Sequence, residues 1–180
     1  MVRTWCLVAV AAALAGCEPA TFYTDLEGQA TVEGDPTPIS DVLGALPAIG
    51  SFTNMDFDAN QDFRNQGVTK EQVGSVRVAS LTLRIVDPSG QDFGFLDQIG
   101  FYAKVGDSEA KVADKADVAA LGLRAPNPTL ALDVENVELQ PFVTARAMSI
   151  VMRGSGRMPP QDTRIEVVVR LKVGVKLLSL

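Results

Sequence analysis

Hydrophobic and polar residues alternate with a period of two along much of the chain. The longest run is "TRIEVVVRLKVGVK", where Ile165, Val167, Val169, Leu171, Val173 and Val175 share one face and Arg164, Glu166, Val168, Arg170 and Lys172 the other. Successive side chains of a strand point to opposite faces. The pattern therefore predicts a long strand with one buried and one wet face, as antiparallel sheets have. The same alternation predicts strands through Leu81, Leu83 and Ile85; through Ile99, Phe101, Ala103 and Val105; through Leu130, Leu132 and Val134; and through Met148, Ile150 and Met152. A first strand is expected at Gln29–Glu33 and another at Ser51–Asp58 with Phe52 inward. Asp87-Pro88-Ser89-Gly90 is a turn signal, because proline presets φ and glycine tolerates positive φ. Many strands without long alternating helices predict an all-β fold, an antiparallel β-sandwich of immunoglobulin-like or related type.

Short helical turns are expected at strand ends. "TKEQVGSV", "DFGFLDQI" and "NVELQPF" carry apolar residues three or four apart, with Thr69, Asp92 and Asn136 able to cap them. Three loops with apolar anchors explain these stretches equally well. Lys111–Leu123 fits a strand followed by a turn or a short helix, and Ile39, Val42, Leu43 and Leu46 lie at helical spacing between prolines. "RGSGR", Arg153–Arg157, lacks the lysine and the strand-to-helix context of a phosphate loop and reads as a turn between strands.

The N-terminus follows another rule. Arg3 supplies a positive start and Trp5 to Leu14 an apolar stretch of about ten residues, the length of a signal h-region and too short for a transmembrane helix. It ends in Leu14-Ala15-Gly16-Cys17. This stretch resembles the lipobox signal of bacterial lipoproteins. The resemblance covers residues 1–17 only and implies removal of residues 1–16 and acylation of Cys17. Two or three acyl chains on one residue give a stable anchor where one would not. Glu18, where lipoproteins retained in the inner membrane of many Gram-negative bacteria carry aspartate, leans the resemblance to the outer membrane. The expected organisation is a signal at 1–16, an acylated terminus and tether at 17–28, and one sandwich domain at 29–180.

Composition narrows the chemistry. Of two cysteines, the resemblance implies that Cys6 departs with the signal and Cys17 is alkylated, which would leave no thiol for a disulfide, a metal or a nucleophile. The chain has no histidine, which removes the commonest general base and zinc ligand and the Ser-His-Asp arrangement. A net charge of −6 argues against nucleic-acid binding. The aromatic residues are too scattered to predict a sugar-stacking platform, and no two carboxylates stand out as a glycosidase pair. No cofactor is implied, and the reading is of a non-enzyme.

One stretch invites a metal. In "NMDFDANQDFRNQG", Asp56, Asp58, Asn60 and Asp62 alternate like the opening of a calcium loop. An EF-hand begun at Asp56 needs glycine sixth and glutamate twelfth, where Gln61 and Gly67 stand. Asp and Asn side chains bonding local backbone at a turn explain the same residues. The expected role is thus a structural or protein-interaction module of the bacterial envelope, held to the bilayer through Cys17 and facing an envelope protein. The alternative is a carrier or sensor of a hydrophobic ligand or calcium ion.

Overall fold

Two four-stranded antiparallel sheets pack face to face in the computed structural model, which describes residues 20–35 and 46–176. The strands are β1 (Thr21–Val32), β2 (Val73–Asp87), β3 (Leu96–Val105), β4 (Ser108–Lys115), β5 (Thr129–Ala131), β6 (Asp133–Val134), β7 (Ser149–Gly156) and β8 (Thr163–Val175). The first sheet runs β1-β8-β2-β5 and the second β6-β4-β3-β7. The sandwich is as the alternation predicts. Its first strand pairs with its last, unlike the immunoglobulin arrangement of ABED on CFG.

β8 occupies the middle of the first sheet. Ile165, Val167, Val169, Leu171 and Val173 are all 1% exposed or less, and β2 sets Ile85, Leu83, Leu81, Val78 and Val76 opposite them. Val78 and Leu81 both face inward although three residues apart, because the β2–β8 register shifts between Val78 and Ser80. Such a bulge puts one extra residue in one strand. The facing layer comes from Ile99, Phe101 and Ala103 of β3, Val112 and Ala113 of β4, and Ile150 and Met152 of β7.

Several expectations need correction. β1 starts at Thr21 rather than Gln29, so residues 21–28 belong to the sheet and not to a tether. Leu130 and Val134 do not share a strand. The chain changes sheets at Leu132, and Val134 ends exposed on β6. Arg153–Gly156 is part of β7, and its glycines serve close approach rather than a turn. A Cβ at Gly156 would lie 2.2 Å from Phe95 O, and one at Gly154 2.7 Å from Leu46 Cδ1. The turn expected at Asp87–Gly90 forms one residue later, at Pro88–Gln91, with Gln91 N–H donating to Pro88 O, 3.1 Å, and Gly90 does not take a positive φ.

Of the helical turns, Lys70–Gln72 forms behind Thr69, whose N–H donates to Gln72 Oε1 at 2.8 Å, the return half of a capping box. "NVELQPF" yields α2 (Gln140–Val143), entered through Leu139 rather than capped by Asn136. Asp92 accepts from Gly94 N–H in a turn without a helix. Lys111–Leu123 resolves into the end of β4 and a 3-10 turn at Val118–Leu121. The stretch holding Ile39, Val42 and Leu43 lies outside the described residues.

Each open side of the sandwich is sealed by irregular chain. On the β5/β6 side, Leu132 N–H donates to Leu81 O and Leu139 N–H to Val76 O. On the β1/β7 side lies the segment expected to be a strand at Ser51–Asp58. It forms 3-10 turns at Gly50–Phe52 and Phe57–Ala59 and one isolated bridge, Met55 with Met148, because Asn54 takes a positive φ that ends any extended run. Phe52 points inward as expected. With Phe57 and with Phe63 of α1 (Gln61–Asn65) it is at most 2% exposed, and burying each ring contributes about 1.5–3 kcal/mol.

The register of β8 makes a direct test. Val169→Asp buries an unpaired carboxylate and should cost several kcal/mol. Arg170→Asp removes two exposed contacts, the ion pair 3.7 Å from Asp25 and the stacking 5.0 Å over the Tyr23 ring, and should cost far less, about 1 kcal/mol. Equal losses in denaturant titrations of the two variants would contradict this register.

Candidate functional site

The acidic stretch folds around a cation already present in the chain. Asp56 accepts from Asp58 N–H at 3.2 Å and caps the turn at Phe57–Ala59. Asn60 accepts from Asp62 N–H at 2.9 Å and Phe63 N–H at 3.2 Å and so caps α1, with Asp62 in its first turn. These caps turn Asp56 and Asp58 toward Lys70, which is 7% exposed. Its ammonium bonds to Asp56 Oδ1, lies 3.2 Å from Asp58 Oδ2, and donates to Ala145 O at 3.0 Å and Arg146 O at 3.5 Å. The four calcium candidates therefore divide into two carboxylates on Lys70 and two residues at the start of α1. Lys70 joins the sealing segment to the loop before β7. Nothing in "TKEQ" marks it, because a lysine in a polar turn ordinarily points to solvent.

The pair holds its charges. The Lys70 hydrogen bond, and then the Asp58 N–H, hold Asp56 below the ordinary carboxylate value of 3.8. Burial pulls Lys70 down, but its hydrogen bonds to Asp56 and Asp58 reverse this and leave it above 10.5. The depressed Asp56 pKa contributes stability above 3.8 that is lost as pH falls through its folded value. The raised Lys70 pKa contributes stability below 10.5 that is lost as pH rises through its folded value.

A second constellation lies on the outer face of β3, β4 and β7. Ile99, Phe101 and Ala103 point into the core, so Gln98, Gly100, Tyr102 and Lys104 point out. Gly100 faces Arg153 on β7 and Asp114 on β4; its missing side chain makes room for the Tyr102 ring, and beside that ring is a depression of about 340 Å³ lined by Gln98, Tyr102, Lys111, Asp114, Lys115 and Arg153. The Arg153 guanidinium stacks 4.5 Å from the Tyr102 ring centroid and bonds Glu109 through both terminal nitrogens at 2.6 Å. Lys111 lies 3.1 Å from Asp114 and 3.4 Å from Glu135, and Lys115 3.0 Å from Asp133.

These pairs also shift their ionisations. The Arg153 hydrogen bond holds Glu109 low, Glu109 raises Arg153, and Asp114 followed by Glu135 raises Lys111. The legible signal for this site is Gly100, a glycine at an outward strand position that alternation would give to a polar side chain. Cys17, the predicted lipidation site, lies outside the described residues.

With Lys70 in place, millimolar calcium should leave the melting temperature of the chain unchanged, whereas a ligand at 100 times its Kd would add about 2.7 kcal/mol. Lys70→Met should lower the melting temperature by several degrees. That difference should hold between pH 3.8 and pH 10.5 and narrow below that range as Asp56 is protonated and above it as Lys70 is deprotonated. A difference independent of pH would mean that Lys70 acts by packing alone.

No family model matches the chain, and no curated protein matches it. Among solved structures, a crystal structure of the 60-mer BFDV capsid protein is 13% identical with a TM-score of 0.37, covering 90% of this chain and 98% of that one. The decameric BFDV capsid protein is 13% identical with a TM-score of 0.39, covering 87% of this chain and 99% of that one. The turnip yellow mosaic virus structure is 12% identical with a TM-score of 0.34, covering 99% of this chain and 93% of that one. Similarity at this level carries no argument about role, and the sandwich rests on its own strand pairing.

Proposed function

We propose that the protein is a lipid-anchored module of the bacterial envelope, with Cys17 acylated and the sandwich presenting its outer faces to another envelope component. The observation that carries this reading is the distance along the chain between the lipobox cysteine and the sheet. Ala20 O already accepts from Val175 N–H at 2.8 Å, so Glu18 and Pro19 alone intervene. Three residue steps of at most roughly 3.6 Å hold the sheet within about 11 Å of the anchored Cα. The module thus rests against the bilayer surface instead of standing on a stalk, and Glu18 favours the outer membrane.

The carrier reading is weaker. Leu81, Leu83 and Ile85 from one sheet and Phe101, Ala103 and Ala113 from the other, each 1% exposed or less, fill the space an apolar ligand would need. The calcium reading is weakened by Lys70 on the leading carboxylates. The module is read as a non-enzyme, one that works by position and contact.

The test is maturation. In a bacterial host with lipoprotein processing, the wild-type chain should lose residues 1–16, gain the mass of a diacylglycerol or more on Cys17, and enter the detergent phase on partitioning. Cys17→Ser should remain full-length and unacylated, because a serine hydroxyl is not a thiolate equivalent at neutral pH. An unmodified wild-type Cys17 in the intact mass spectrum would overturn the proposal.

A further inference from the structure

We propose that the depression over Gly100 binds a neutral, hydroxyl-rich ligand, a saccharide. The reading of the protein as an envelope module says only where such a ligand is met; the site stands on its own geometry. Gly100 lies at an outward position of an inner strand, with β4 on one side and β7 on the other, so the gap is in the middle of a sheet face. A glycine inside a strand weakens it and marks a place where something approaches closely. What approaches Gly100 is the Tyr102 ring, since a Cβ there would lie 3.2 Å from both Cε2 and the hydroxyl, so a larger residue would push the ring aside and reshape the depression beside it.

The rim chemistry selects the class of ligand. Arg153, Lys111 and Lys115 each already face a carboxylate: Glu109; Asp114 and Glu135; and Asp133. No surplus positive charge remains to hold a phosphate. Asp114, committed to Lys111, leaves no bare carboxylate pair for a divalent cation. Hydrogen-bonding capacity does remain. A guanidinium has five N–H donors, and Glu109 engages two nitrogens of Arg153. The Gln98 amide both donates and accepts, and a carboxylate such as Asp114 has further lone pairs.

Sugar hydroxyls donate and accept at once and suit such a mixed rim beside an aromatic ring. The ion pairs fix these groups before any ligand arrives, which lowers the ordering cost of binding. At about 340 Å³ the depression is at the small end of ligand sites, of a size for one unit of a longer chain lying across the open face.

The test is calorimetric titration of the detergent-solubilised full chain with chitotriose, cellotriose and maltotriose, and with inorganic phosphate as the anionic comparison. At least one trisaccharide should bind with a millimolar or tighter Kd, and more tightly than phosphate. Tyr102→Ala and Gly100→Val should each weaken it at least about tenfold, roughly 1.4 kcal/mol. Arg84→Ala, on the outer face of the other sheet, should leave it unchanged. If neither strand variant folds, Lys111→Ala serves, since its side chain is surface-exposed and lines the same rim. No binding by any of the three sugars, tighter binding of phosphate, or rim variants that bind like wild type would overturn the site. A chain that binds sugar with Cys17 unmodified would overturn the anchor and leave the site standing, and the reverse result would separate them the other way.

Discussion

The structure depends on β8 being paired along both edges. Its twelve-residue ladder with β1 and its ladder with β2 turn three strands into one surface, and its five inward side chains form the middle row of that surface. A central strand with one apolar and one charged face fixes register strongly, because a slip of one residue would exchange the faces. β8 is also the last strand among the described residues. Until it is made, β1 and β2 have no common partner, and the first sheet cannot close. The pairing is therefore long-range, of the kind that folds slowly because loop-closure entropy is paid before contacts form.

The remaining structure manages what two flat sheets leave open. Among the described residues, neither side of the sandwich is closed by a further strand. Aromatic plugs and single backbone bonds do so, and on the β1/β7 side a buried ammonium ties the plug to the loop before β7. Phe63 packs edge-on against Phe22 at 5.3 Å and tilted against Phe57 at 5.4 Å, so the plug and β1 share one aromatic cluster. Covering β1 in this way also protects an edge strand from pairing with another chain.

How much of this the sequence reveals depends on whether inward residues are apolar. β8 was legible because its inward positions from Ile165 to Val173 are all branched aliphatics and its outward ones mostly charged. β1 was legible only from Gln29 onward, because Thr24 and Gly28 point inward and Tyr23 points out, which blurs the period of two. Gly28 is there because Ile49 and Ser51 crowd it, a tertiary cause that no local pattern carries. The glycines of β7 misled for the same reason. The acidic stretch was correctly readable as capped turns, yet its counter-ion lies fourteen residues further on and is brought back by the fold. The Gly100 depression had one sequence mark, and its rim comes from three strands that only the register aligns.

The pairing of the first strand with the last has a mechanical meaning. A chain held at Cys17 and gripped on its second sheet would be pulled along the axis of β1. The rungs of an antiparallel ladder lie across the strands, and those between Thr21–Val32 and Thr163–Gly174 would all be strained together, in shear. Strands loaded this way must slide as a block and cannot peel one bond at a time. An end of the domain loaded through Cys17 would thereby be its most resistant, and failure would begin in the short strands β5 and β6, away from β1.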